Sequence, residues 1–153
     1  MHRGRGYTLI ELLVVLALIA LLGSIAMPLA EVTVQREKER ELKRALWELR
    51  DAIDAYHLAR QRMGAEGAAS YPPNLEALTQ PLPDVRPGGG GVLRVLRQVP
   101  RDPFADPLLP AEQSWGLRSY LSESKEPRAG AEVYDVYSLS PARGLNGVPL
   151  KEW

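Results

Sequence analysis

The chain has no cysteine among its 153 residues. That excludes disulfides and thiolate metal sites, so the fold rests on packing, polar contacts or assembly. It has no net charge either: 19 Lys plus Arg balance 19 Asp plus Glu. No global field of the kind that draws nucleic acid is present. Histidine is scarce, with His2 near the start and His57 alone on a helical stretch. No Ser/His/Asp grouping, metal-ligand spacing or nucleotide motif is recognisable, so the reading is not an enzyme. Paired carboxylates such as Asp51/Asp54 lie among counter-charges and read as a solvated face. The length suits one modest domain, and because much of the apolar content sits in one N-terminal block, the rest can bury only a small core.

That block is what the sequence offers most plainly. Residues 1–6 are polar and carry Arg3 and Arg5, whereas residues 7–30 are apolar with Glu11 as their one charge. As a helix the latter spans roughly 36 Å, enough to cross a hydrocarbon core of about 30 Å. The basic leader favours a cytoplasmic N-terminus with the body of the chain beyond the membrane. Loss of that leader makes the remaining chain slightly acidic. A secretory signal peptide is one alternative, with Ser24-Ile25-Ala26 as a loose small-x-small site, but its apolar stretch is normally shorter. A plain anchor fits the length without explaining Glu11, since an ionisable group costs about 2.5–3.5 kcal/mol near the membrane centre and asks for a partner.

The run Gly6-Tyr7-Thr8-Leu9-Ile10-Glu11-Leu12-Leu13-Val14-Val15 resembles the processing motif of type IV pilins and type II secretion pseudopilins. The family usually has Phe where Tyr7 stands, so the aromatic ring is kept. The resemblance implies cleavage between Gly6 and Tyr7 by a prepilin peptidase, followed by N-methylation of Tyr7. It also implies that Glu11 meets the terminal amine of a neighbouring subunit during assembly. A carboxylate and an amine attract far more strongly in low dielectric than in water, and pairing removes two unsatisfied charges together.

Gly23 and Pro28 fall within the same helix. Proline removes a backbone donor and crowds the preceding turn, which predicts a kink near Ala26. Membrane helices also tolerate both residues, so the pair admits a bland reading. Residues 35–41 are polar on every side, with Glu37/Arg40 and Glu39/Lys43 at helical spacing. Leu42, Leu46, Leu49, Ile53 and Tyr56 then form an apolar stripe, flanked by Ala45 and Ala52. This is the period of an amphipathic helix lying on a sheet, ended by Gly64 and Gly67. Unbroken to Arg62, the helix would be roughly 84 Å long.

The remainder is rich in turns. Asn74 is placed to cap a short helix after Tyr71-Pro72-Pro73. Gly88 to Gly91 read as a flexible connection, lacking the flanking strand, helix and lysine of a phosphate loop. Strands are expected over 115–121 and 133–139, a turn at Asn146-Gly147, and a last short strand running to Trp153. Tyr71-Pro72, then Pro100-Arg101-Asp102-Pro103-Phe104, then Tyr134-Asp135-Val136-Tyr137-Ser138 look like G-type pseudopilins, the major filament subunits of type II secretion. Those proteins end in an Asp- and Gly-rich calcium loop. Here the corresponding stretch is Ser140-Pro141-Ala142-Arg143-Gly144-Leu145-Asn146, which has no carboxylate. Calcium wants six to eight oxygens, so Asp102, Asp106 and Asp135 alone do not make the case and no cofactor is assigned.

Arg94, Arg97 and Arg101, with Trp115, Tyr120 and Trp153 as stacking surfaces, offer a second class of function, recognition of DNA or a surface. Balanced charge argues against a nucleic-acid partner. The expectation is an α+β pilin fold, a long N-terminal helix packed on a small antiparallel sheet, divided as leader 1–6, membrane half 7–30 and periplasmic region 31–153 with helix to about 62. The resemblance implies a structural subunit of a type II secretion pseudopilus in the bacterial inner membrane, or alternatively a type IV pilus pilin with an adhesive or DNA-binding role. Its implied partners are its own copies in a helical filament, other pseudopilins, the prepilin peptidase and the inner-membrane assembly platform.

Overall fold

A computed structural model describes residues 7–86, 88, 90–123 and 126–153. The expected leader and the Gly6 side of the cleavage site lie outside the described residues. Helix α1 (Leu9–Arg62) is 54 residues long. Its Leu, Ala, Glu, Lys and Arg content favours helix in the apolar and the charged stretches alike. Gly64 ends it, as expected. Its φ of 88° is left-handed backbone that suits glycine. The Gly64 N–H donates to the Gln61 carbonyl at 2.9 Å and the Ala65 N–H to the Arg60 carbonyl at 3.0 Å. Those two bonds are a Schellman closure, which satisfies carbonyls a helix end would otherwise leave open. Gly67 instead opens a 3₁₀ turn, Gly67–Ser70.

The chain divides into two units, the first ending at Glu37 and the second running from Lys38 to Trp153. In the second unit the predicted stripe is the core. Leu42, Leu46, Leu49, Ile53 and Tyr56 are buried together with Ala45 and Ala52. Leu75, Leu78, Leu96, Val99, Trp115, Val133, Val136 and Leu150 complete the same cluster. Asn74 caps the 3₁₀ turn Leu75–Thr79, its side chain accepting the Ala77 N–H at 2.9 Å, and so delivers Leu75 and Leu78 inward.

The architecture is α+β, a long helix with small antiparallel sheets, as the pilin-fold expectation has it. The one expected sheet is two. β1 (Leu82–Pro83) pairs with β2 (Val92–Leu93), and β3 (Trp115–Arg118) with β4 (Asp135–Ser138), both antiparallel. Three local expectations need correction. The glycine stretch does have flanking strands, two residues each, too short to leave a periodic signature. The strands expected over 115–121 and 133–139 are shorter: Ser119 N–H turns to the Arg128 carbonyl at 2.9 Å and leaves the ladder. The last segment is a 3₁₀ turn, Leu150–Glu152, preceded by a single bridge between Arg143 and Pro149. Pro149 has no N–H to extend a ladder, and the Leu150 N–H closes on the Ala142 carbonyl at 3.1 Å, burying the leucine.

Register fixes one glycine. Gly116 stands opposite Tyr137, and a Cβ at Gly116 would overlap the tyrosine ring. Arg50 on α1 links the helix to β4, donating from Nε to Asp135 Oδ1 at 2.9 Å and from Nη2 to the Trp153 carbonyl at 2.8 Å.

Candidate functional site

Large apolar side chains crowd the first unit and face outward from the start: Tyr7, Leu9, Ile10, Leu22, Met27 and Leu29 are all more than 60% exposed. The apolar part of α1 is long and apolar enough to cross a membrane. Thr8 starts the helix. Its Oγ1 accepts the Glu11 N–H at 3.3 Å, and its carbonyl accepts the Leu12 N–H at 3.2 Å. Thr8 is therefore the N-cap and Glu11 the third helical residue, the Thr-x-x-Glu spacing of a capping box. That spacing was visible in the sequence but overshadowed by the membrane pattern. A carboxylate in the first turn also meets the positive end of the helix dipole. The Glu11 side chain is exposed, and none of the described residues pairs with it.

Helix α1 runs through Gly23 and Pro28 without a break. Two hydroxyls in this stretch bond back to their own helix, Ser24 Oγ to the Leu21 carbonyl at 2.7 Å and Thr33 Oγ1 to the Leu29 carbonyl at 2.9 Å. Neither is left as an unsatisfied donor, which is what an apolar surrounding demands.

The residues considered for metal and recognition roles have other structural duties. Asp102 is buried; its carboxylate accepts the Phe104 N–H and the Ser138 hydroxyl, which pins the Pro-Arg-Asp-Pro-Phe turn to β4. Asp106 accepts the Leu108 N–H at 2.9 Å, and Asp135 holds Arg50 and lies 3.7 Å from Arg118. Among the described residues no three His, Asp or Glu side chains gather as a metal site. Trp115 is buried, its indole N–H on the Pro100 carbonyl at 2.8 Å, so it offers no stacking surface. Arg94 and Arg97 are exposed but border a groove shared with Glu48 and Asp51, which offsets their charge. Arg101 donates to the Asp106 carbonyl.

His57 is half-buried, and its surroundings were not legible in the sequence. Its ring stacks on Tyr71 with centroids 4.1 Å apart and planes at 13°, and its Nδ1 lies 2.7 Å from the Ser70 hydroxyl. Tyr120 and Tyr134 pack around the same tyrosine. Burial, then the neighbouring Tyr134, Tyr120 and Asp54 charges, push the Tyr71 phenol above its ordinary value. In the β1–β2 connection, hydrogen bonds from Arg86 bring Asp84 down to about 2.

The sequence comparison bears on the N-terminal segment. Residues 1–27 match the family model described as the prokaryotic N-terminal methylation motif. No curated protein and no solved structure matches the chain. The match supports a type IV pilin-like protein, pilin or pseudopilin, anchored in a membrane by its N-terminal helix. A motif of this type implies processing by a prepilin peptidase and filament assembly in general.

Proposed function

We propose that the chain is a pseudopilin, a filament subunit of a type II secretion system, cut between Gly6 and Tyr7 and N-methylated at Tyr7. The observation that carries this reading is Glu11: an exposed carboxylate, unpaired among the described residues, in the first turn of the otherwise apolar stretch of α1, which opens within a methylation motif. Its cost in a membrane falls when a cation meets it. Cleavage supplies one, the new amine at Tyr7 of an adjacent copy. In this mechanism the processed subunit waits in the inner membrane with residues 31–153 in the periplasm. Extraction then exchanges lipid contacts for helix contacts between copies, while Glu11 and Tyr7 of neighbours neutralise each other. Pro28 supplies no N–H to the Ser24 carbonyl, and with Gly23 nearby this favours a bend as the bundle closes. The assembly platform, the peptidase and related pseudopilins are the partners of this cycle.

Preference for secretion over a pilus rests on the Pro100–Phe104 and Tyr134–Ser138 segments, which resemble G-type pseudopilins. The Ser140–Asn146 loop departs from them by lacking carboxylates, which weakens assignment to the major subunit and is compatible with a G-like minor subunit or a pilin. Mass spectrometry of the membrane-extracted protein tests the proposal: the mature chain begins at methylated Tyr7. A retained Met1, or a terminus after Ala26, overturns it. The alternative, a type IV pilus pilin, is separated by deletion of the gene: loss of twitching or adhesion rather than of protein export favours the pilus.

A further inference from the structure

The segment after β4 is closed largely by side chains. Arg143 donates from Nη1 to the Gly147 carbonyl at 2.9 Å, across the turn at Asn146-Gly147. The backbone closes the same turn, with the Gly147 N–H on the Gly144 carbonyl at 2.8 Å and the Gly144 N–H on the Val148 carbonyl at 2.9 Å. Asn146 Oδ1 accepts the Val148 N–H at 3.0 Å, and Ser140 Oγ accepts the Ala142 N–H at 3.3 Å. Two residues one turn apart on α1 then fasten the loop to the helix. Glu39 Oε1 accepts the Leu145 N–H at 2.8 Å, and the Lys43 ammonium lies 4.5 Å from the centre of the Trp153 ring. That ring fills the space over Gly144, where a Cβ would overlap it.

In the G-type pseudopilins that the chain resembles, the corresponding stretch holds calcium, which needs about six to eight oxygens and binds more tightly as more of them are anionic. The oxygens here have other partners. Ser140 Oγ, Asn146 Oδ1 and the carbonyls of Ala142, Gly144, Gly147 and Val148 each accept a hydrogen bond within the segment. The Glu39 carboxylate, which does reach the loop, is bonded to the Leu145 N–H. Beside the loop runs a groove of about 470 Å³ whose charged lining is Arg143, Lys151 and Glu152, two cations to one acid. A divalent cation placed there would meet more repulsion than attraction. The residues do not fit the metal.

We infer that the Arg143 guanidinium takes the place of a metal ion. It draws in the Gly147 carbonyl and, with the Glu39 and Lys43 contacts, holds the C-terminal segment on α1 without a divalent cation. A guanidinium has donors only and keeps its charge at any ordinary pH, so this closure persists where a chelator or a shortage of calcium would strip a metal. All of these contacts lie within Lys38–Trp153, so a pilin and a pseudopilin would share the closure alike.

The test uses the full chain in detergent, once with excess EDTA and once with millimolar calcium chloride. Thermal unfolding is followed by tryptophan fluorescence; Trp47 is 76% exposed and Trp115 is buried, so the change on melting comes from Trp115 and Trp153. Opening of the loop is read separately, as the rate of chymotrypsin cleavage after the exposed Leu145. The wild type should give one melting temperature and one cleavage rate in both solutions. Arg143→Ala and Glu39→Ala should each lower the melting temperature by a few degrees and speed cleavage, to the same extent with and without calcium. Arg143→Lys keeps the charge and should stay close to the wild type. A wild-type melting temperature that rises with calcium or falls with EDTA overturns the inference, and this comparison requires no variant to fold. Wild-type behaviour from Arg143→Ala overturns it as well, since the guanidinium would then close nothing. Equal losses in Arg143→Lys and Arg143→Ala would show that the charge does not hold the loop, with the same consequence.

Discussion

Thr8 Oγ1 accepts the backbone N–H of Glu11, so the residue that starts helix α1 and the lone acid of its apolar stretch are one structural unit. The relationship gives Glu11 two separable roles. One is local, a first-turn acid at the positive end of the helix. The other is the proposed pairing with a neighbour's terminal amine.

The two roles are told apart by substitution. Thr8→Ala removes the cap and should cost about 1 kcal/mol of helix stability, fraying the start of α1 without abolishing filaments. Glu11→Gln leaves the Thr8 bond to the backbone N–H untouched and should preserve membrane insertion and cleavage. Filament yield should nonetheless collapse, because the amine loses its counter-charge. Surface filaments compared with the membrane pool by immunoblot decide it; normal filaments from Glu11→Gln reduce the carboxylate to a helix-start residue.

Stability of the second unit should depend on the stripe. Leu46 and Leu49 are 2% and 0% exposed and belong to one core cluster. Leu46→Ala or Leu49→Ala should each cost about 2–5 kcal/mol in a chain truncated near residue 31, measured by urea denaturation. A neutral result at both positions would mean that the stripe faces other subunits.

Legibility in the sequence followed the length of the signal. The helix and its buried stripe repeat over many turns, so periodicity marked Leu42 to Tyr56 correctly. The motif around Gly6 to Val15 is local in sequence and was equally visible. β1 and β2 are two residues each and carry no period, so the hairpin about the glycine stretch was missed. The Leu150 turn was mistaken for a strand because alternation over a few residues does not distinguish a strand from a 3₁₀ segment, and only Pro149 warned against it. Trp47 and the His57–Tyr71 stack depend on which way side chains leave the helix relative to distant loops, which composition does not report.

Gly116 is a second test of the fold, independent of the helix. A methyl group there meets the Tyr137 ring across the β3–β4 pair, so the half-buried ring must move to admit it. Gly116→Ala should therefore destabilise by about 1–3 kcal/mol, as overpacking does. Gly116→Ala with Tyr137→Ser should recover most of that loss in thermal melts. No recovery would mean that the Tyr137 ring is not what limits the site.

Alkaline pH should weaken the same unit through Tyr71. Its phenol is raised above the ordinary 10.0, first by burial and then by Tyr134, Tyr120 and Asp54. A raised acid binds its proton more tightly folded than unfolded, so the stability it contributes is complete below about pH 10 and is lost as pH rises through the shifted value. Melting temperature should fall between pH 9.5 and 11 (about the ordinary tyrosine range) more steeply in the wild type than in Tyr71→Phe. The phenylalanine keeps the stack on His57, which lies at 4.1 Å, while removing the proton that titrates. Ultraviolet titration near 295 nm (roughly the phenolate band) should show one tyrosine ionising late, and that late step should be missing from Tyr71→Phe. Equal slopes in the two proteins would mean that Tyr71 is not the source of the alkaline sensitivity.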